Sequence, residues 1–115
     1  MTSAGDLRHR LTFQRRMPRD DGYGNEEAGD WVDEFSCAAQ LVASRGGERV
    51  EASSLTAVQG WTIKVRDWAK TAGVTGAWRA VNARNTDQVF NIRSNVALVK
   101  KPGWREMQAD EGAAT

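Results

Sequence analysis

The amino-terminal stretch GDLRHRLTFQRR, residues 5–16, places four arginines around three apolar residues. Guanidinium groups form strong hydrogen bonds to phosphates and carboxylates, so the cluster indicates one of three roles. It could be a nucleic-acid surface, the basic start of a membrane-targeting leader, or the solvated face of a strand that contacts a partner. The four residues are Arg8, Arg10, Arg15 and Arg16.

The leader hypothesis requires a continuous apolar run behind the basic start, and residues 1–30 contain no such run. No window approaches the ~18 apolar residues of a transmembrane helix. The chain has 16 basic and 15 acidic residues and a formal net charge of +1, which argues against nucleic-acid binding through bulk charge alone. We therefore expect a soluble chain, made inside the cell, with no membrane contact.

Residues that could act as a nucleophile or general base are few. His9 is the only histidine and Cys37 the only cysteine, and nothing in their spacing brings the two together as a catalytic dyad. Cys37 lies in the apolar stretch EFSCAAQLVA, where we expect a buried structural thiol. Neither GxxxxGKS/T nor GxGxxG is present. We expect no enzymatic activity and no cofactor.

An acidic segment follows the arginines. Residues 7–19 hold five arginines and no acid, whereas residues 20–34 hold seven acids and no base. A calcium loop needs oxygen ligands at alternate positions and a glycine at the sixth, but Tyr23 occupies one such position and Gly24 falls one place early. We expect a solvated acidic loop rather than a metal site. Its paired acids are Asp20 with Asp21 and Glu26 with Glu27.

Alternation with a period of two predicts the first two strands. Leu7, His9, Leu11 and Phe13 share one parity, which predicts a strand with these residues on its buried face. Residues 17–30 are rich in turn-forming residues and predict a long connection. Residues 31–44 predict a second strand, in which Asp33 breaks the parity and indicates a bulge or a later start.

The rest of the chain continues this β-rich pattern. Residues 48–59 form the one helical window, residues 60–68 a strand, and residues 69–76 a turn-rich connection. Two more strands are predicted over residues 77–84 and 88–100, joined by a turn at residues 85–87. The polar residues 106–115 are expected to be disordered. The predicted fold is mainly β, a small β-barrel or rolled antiparallel sheet with one short α-helix and long loops, in a single domain over residues 1–105.

The second half keeps a nucleic-acid alternative open. A small barrel with basic residues and exposed aromatic rings can bind a single strand. Trp61 shares the parity of Ile63 and Val65, so we expect its ring in the core, whereas Trp68 and Trp104 lie near loops and could equally anchor a protein interface. Residues 60–105 hold nine Lys or Arg against two acids, interleaved with Trp61, Trp68, Trp78 and Trp104.

Several motifs occur in a recognisable order. An opening Gly-x-Leu-Arg-His-Arg segment continues to Gln14 and Arg15, and an Asp-x-Tyr-Gly element at residues 21–24 precedes Trp31. A small-residue turn, a strand over residues 61–66 and an aromatic-x-Ile element at residues 90–92 follow. In this order the chain resembles the head-tail joining proteins, also called stopper or head-completion proteins, of long-tailed bacteriophages and phage-like particles.

The resemblance implies a virion protein at the head-tail junction, made in the bacterial host cytoplasm and assembled as a ring beneath the portal and adaptor. Such a ring blocks the exit of packaged double-stranded DNA and offers a docking surface to the tail terminator or tail tube. The family has no catalytic residues, so none are carried over. The source could be a phage or a gene-transfer particle.

Within a ring, the basic and acidic segments could pair between neighbouring copies, because ring interfaces of identical subunits are heterologous. Six or twelve copies would both suit the junction, and residues 17–30 and 44–60 are both candidates for the segment that plugs the channel. A tail terminator ring is the alternative within virion assembly. The candidate subunit or adaptor interface residues are Arg8, Arg10, Arg15, Arg16, Asp20, Asp21, Tyr23, Glu26 and Glu27.

Overall fold

The computed structural model describes residues 7–20, 22–24, 26–44 and 58–112. Six antiparallel strands close into a barrel in the order β1-β2-β3-β6-β5-β4, so the predicted fold class is confirmed. A short helix, α1, spans Ala69–Ala72 between the third and fourth strands. The strands are β1 His9–Asp20, β2 Glu26–Ala43, β3 Gln59–Arg66, β4 Arg79–Asn82, β5 Asn85–Ala97 and β6 Trp104–Glu111.

The hydrophobic core fills the barrel. Successive side chains of a strand point to opposite faces of the sheet, and the inward ones here are apolar on nearly every strand. Full burial of one such side chain contributes about 1.5–3 kcal/mol, so the core is the main source of the barrel's stability. Its largest fully buried members are Leu11, Phe13, Ile63, Val65, Phe90, Ile92 and Met107.

β2 contains the bulge that Asp33 indicated. Phe13 pairs with Phe35 while Gln14 pairs with Asp33, so Glu34 is the extra residue on β2. The extra residue reverses the alternation, so the side chains of β2 on either side of Glu34 follow different parities. Phe35 therefore stacks on the buried Phe13 ring at 4.9 Å between centroids, whereas Asp33 lies beside the half-buried Gln14.

The segment between β3 and β4 is fixed by buried polar contacts. Thr71 is fully buried, and its hydroxyl donates to the Arg66 carbonyl at 2.7 Å. Asn95 Nδ2 donates to the carbonyls of Thr71 and Val74 at 2.8 and 2.9 Å. These bonds tie the backbone of the segment to the buried Thr71 and to Asn95 of β5. The predicted turn-rich connection thus contains α1 and has a defined conformation.

The prediction of a long loop over residues 17–30 is wrong. β1 runs to Asp20 and β2 starts at Glu26, with Arg16 opposite Trp31 and Pro18 opposite Ala28. The turn chemistry is confined to the tip, where Gly22 and Gly24 have φ of 88° and 82°. Cross-strand pairing extends through residues whose types favour turns, because propensity is a weak constraint where tertiary pairing is possible.

Other predicted boundaries also change. Residues 106–111 belong to β6 instead of a disordered tail, since Met107 and Ala109 are buried between β3 and β5. The turn between β4 and β5 lies at residues 83–84, immediately before the predicted turn at residues 85–87. His9 is exposed, because it is the first residue of β1. Of the predicted helix, residues 48–57 lie outside the described residues, and Gln59 starts β3.

Candidate subunit interface

β1 and β2 continue past the barrel as a two-stranded ribbon. β4 pairs with β1 only over residues 11–14, and β3 pairs with β2 only over residues 40–43. β1 and β2 stay paired with each other out to Asp20 and Glu26. We call residues 15–20 and 26–32 the ribbon, which extends ~20 Å at the usual rise per residue. Within the described residues neither ribbon strand has a second partner strand, so the ribbon presents two open edges.

Two arginines converge on one tryptophan where the ribbon leaves the barrel. The guanidinium carbons of Arg16 and Arg79 lie 4.9 and 4.4 Å from the centroid of the Trp31 ring. The register explains the meeting, because Arg16 is opposite Trp31 and Arg79 of β4 is opposite Gln14 of β1. Each cation–π contact at such a site contributes about 0.5–1 kcal/mol. We call Arg16, Trp31 and Arg79 the base cluster.

Hydrogen bonds orient the base cluster. Arg79 Nε donates to Gln14 Oε1 at 2.7 Å, and Gln14 Nε2 donates to Asp33 Oδ1 at 2.6 Å. Asp33 therefore contacts Gln14 rather than either guanidinium. Partial burial and the nearby charge of Arg16 both lower the pKa of Arg79. The cluster thus holds two like charges close together at the surface of the molecule.

Arg15 contacts an acid of its own chain. Its Nε lies 3.2 Å from Glu34 Oε1, with side chains 44% and 30% exposed. The bulge places Glu34 within reach of this cation. Part of the charge of Arg15 is therefore balanced within the subunit.

Arg8 and Arg10 lie at the other end of the barrel segment of β1. Both are exposed, as the alternation predicted. The Arg10 carbonyl accepts from the Ala83 amide at 2.9 Å, and the Arg8 carbonyl accepts from the Arg84 guanidinium at 3.2 Å. The structure thus separates these two arginines from the base cluster.

The acidic candidates lie toward the ribbon tip. Asp20 is opposite Glu26, and Arg19 is opposite Glu27 in the register. Tyr23, at the tip, is 88% exposed. Asp21 lies outside the described residues. The ribbon therefore brings Arg15, Arg16, Asp20, Tyr23, Glu26 and Glu27 onto one projection.

Comparison with known proteins assigns this architecture. A family model for the phage head completion proteins matches residues 2–112 of the chain. The chain belongs to this family. A head completion protein is a structural component of the virion head, at its junction with the tail, so the expected localisation and structural role are confirmed. No curated protein matches the chain at a significant level.

Solved structures share the fold of this head completion protein. A chain in the virion of a native gene transfer agent particle is 20% identical and superposes with a TM-score of 0.65, covering 92% of this chain and 94% of that one. The solution structure of a protein from Shigella flexneri 2a is 19% identical with a TM-score of 0.70, covering 99% of this chain and 100% of that one. At these identities the likeness shows the fold alone.

Two residues of the base cluster were absent from the predicted interface. Trp31 was noticed only as the tryptophan that follows the tyrosine element, and Arg79 carried no local signal. Arg79 reaches the ribbon because the barrel closes between β1 and β4, 63 positions after Arg16 in the chain. Sequence spacing alone does not reveal this juxtaposition.

The tryptophans of the second half differ in exposure: Trp104 is buried, Trp61 and Trp78 are half-buried, and Trp68 is 44% exposed. Trp61 packs against the core, as its parity predicted, lies edge-on to Phe90 at 5.8 Å, and donates from Nε1 to Glu111. Trp104 is 7% exposed. Arg66 and Lys101 lie over its ring at 4.8 and 5.6 Å. Binding of single-stranded nucleic acid uses exposed rings on which bases can stack, and the ring of Trp104 is not available for this.

Cys37 has the properties of a structural thiol. It is half-buried beside the core, and burial raises its pKa to about 11, an effect that Arg10 partly opposes. Such a thiol is protonated at neutral pH and is a poor nucleophile. Within the described residues, no three His, Cys, Asp or Glu side chains are grouped as metal ligands. The described part of the chain also has no helix that is long and apolar enough to cross a membrane.

Proposed function

We propose that this head completion protein is the stopper of the head-tail connector. Copies form a ring below the portal and adaptor, retain the packaged double-stranded DNA, and present the docking surface for the tail terminator or tail tube. The observation that carries the proposal is the ribbon, which projects from the barrel with open edges, two arginines that converge on Trp31 at its base, and acidic residues toward its tip.

A ring of identical subunits needs two different surfaces on each chain that complement each other. The ribbon carries basic residues at its base and acidic residues toward its tip. Tyr23 adds an exposed aromatic ring at the tip. Aromatic residues and arginine are enriched at protein interfaces. Arg8 and Arg10, at the other end of the barrel, are candidates for the contact with the adaptor ring.

The test is nuclease protection of DNA in particles made without this gene, with purified protein added back. We expect the heads to fill, to lose their DNA to nuclease, and to regain protection when folded protein is added. Heat-unfolded protein is the matched control and should not restore protection. An Arg8→Glu/Arg10→Glu double variant should fold normally and fail to seal the heads.

A different outcome would replace the proposal. If filled heads stay sealed without the protein and only tail attachment fails, the protein acts on the tail side. In that case it is a terminator ring rather than a stopper.

A further inference from the structure

The base cluster concentrates two positive charges around one aromatic ring. Arg16 and Arg79 converge on Trp31, and Gln14 fixes the orientation of the Arg79 guanidinium. Guanidinium groups form strong hydrogen bonds to carboxylates, and a carboxylate beside the cluster would offset the repulsion between its two cations. Arg16 is exposed, and Trp31 and Arg79 are half-buried, so an incoming group can reach the cluster from solvent.

The ribbon tip has the opposite imbalance. The register sets Asp20 opposite Glu26 near the end of the ribbon. By sequence, residues 17–30 hold five acids, and Arg19 is their one cation. Cations of a partner would balance this excess of negative charge.

The base and tip of one ribbon are held apart. Asp20 follows Arg16 by four residues, which at the rise of a β-strand is ~13 Å along β1. The paired strands keep this separation fixed. Acids at the tip of a second copy can approach the cluster from outside without bending the ribbon.

Side chains rather than backbone edges are suited to this contact. Pro18 brings no amide donor to β1, and register shifts at Glu34 and between Arg16 and Pro18 interrupt the regular ladder. Proline, charge and bulges are the features with which edge strands avoid pairing with another strand. Phosphate of nucleic acid is also disfavoured, because the formal net charge of the chain is only +1.

We propose that the base cluster of one subunit binds carboxylates of the ribbon tip of the next subunit, with Asp20, Glu26 and Glu27 as the donors of negative charge. This inference rests on the proposed ring and names its subunit contact. The contact is heterologous, so it closes into a ring when the rotation between copies permits.

A charge exchange tests the pairing. Arg16→Glu and Glu27→Lys should each reduce incorporation of the protein into particles about tenfold, as expected for loss of a close charge pair. The double variant should recover to within about twofold of the unaltered protein. Lys100→Glu, an exposed charge reversal in the turn before β6, is the control and should leave incorporation unchanged. Thermal unfolding of each variant checks that the fold is kept.

Photo-cross-linking locates the contact directly. A benzophenone amino acid replaces Trp31, the assembled particles are irradiated, and the cross-linked peptides are identified by mass spectrometry. A cross-link to residues 20–30 of a second copy supports the inference. A cross-link to another protein or to DNA, or none at all, overturns it, as does failure of the double variant to recover.

Failure of the inference remains separable from failure of the proposed function. If the unaltered protein seals heads against nuclease but its base cluster contacts something else, the stopper assignment stands and the subunit contact lies elsewhere. If the unaltered protein does not seal heads, the stopper assignment itself is wrong.

Discussion

The barrel and the ribbon are formed by the same two strands, yet different interactions stabilise them. Within the barrel, Leu11 and Phe13 of β1 are 0% exposed, and burial of apolar surface at about 25 cal/mol per Å² supplies the free energy. In the ribbon, Met17 is 43% exposed and the contacts are the Arg15–Glu34 ion pair and the base cluster. The exposed Met17 and the charged contacts of the ribbon are features suited to contact with a partner.

The largest expected effect comes from the barrel. Phe13→Ala removes a fully buried ring that stacks on Phe35, and we expect a loss of about 3–5 kcal/mol in the free energy of unfolding. Urea unfolding followed by far-UV circular dichroism measures it. Met17→Ala in the ribbon is the matched control and should cost well under about 1 kcal/mol. Equal losses for the two variants would contradict the division between barrel and ribbon.

A second prediction concerns Cys37, whose thiol reports on opening of the barrel. Its pKa of about 11, against an ordinary 9.0, lowers the thiolate fraction near pH 8 about 100-fold. A less acidic thiol is intrinsically more nucleophilic and recovers part of that factor. We therefore expect alkylation by iodoacetamide to be about tenfold slower or more in the folded protein than in urea, measured by mass spectrometry.

The sign of the pH dependence follows from the same shift. The folded protein holds the Cys37 proton more tightly, so this group's contribution to stability is complete below pH 9 and is lost as the pH rises toward 11. Phe13→Ala should accelerate alkylation, because opening of the barrel exposes the thiol, whereas Arg16→Glu in the ribbon should not. A native rate equal to that in urea would show that the thiol is not protected.

The sequence was informative where burial decides the structure. Alternation at Leu11 and Phe13 and at Ile63 and Val65 predicted strands, because inward positions of a barrel accept only apolar side chains. The parity break at Asp33 predicted a bulge or a later start of the strand for the same reason, and the structure has the bulge. The alternation fails in the ribbon, where Arg16, Met17 and Pro18 are exposed in succession and burial does not dictate that apolar and polar residues alternate.

Pairing between strands that are distant in the sequence explains the other predictions that were wrong or incomplete. Residues 106–111 look polar in isolation, and only β3 and β5 on either side make them a strand. The base cluster has the same origin, since Arg79 meets Trp31 only after β4 joins β1. The arginines of the amino-terminal stretch were predicted to form an interaction surface, but their division between two ends of the molecule depends on where the barrel stops.

The smallest effect is expected for the ion pair at the start of the ribbon. Arg15→Ala removes the contact with Glu34, and both side chains are partly exposed, so solvent screens their attraction. Double-mutant cycles on such pairs give about 0–1 kcal/mol, and the cycle Arg15→Ala with Glu34→Ala should return a coupling in that range by urea unfolding. A coupling above about 2 kcal/mol would mean that the ribbon contributes to the stability of the subunit as the barrel does. A weak coupling together with normal particle incorporation of Arg15→Ala would instead direct attention to the charges of the base cluster for assembly.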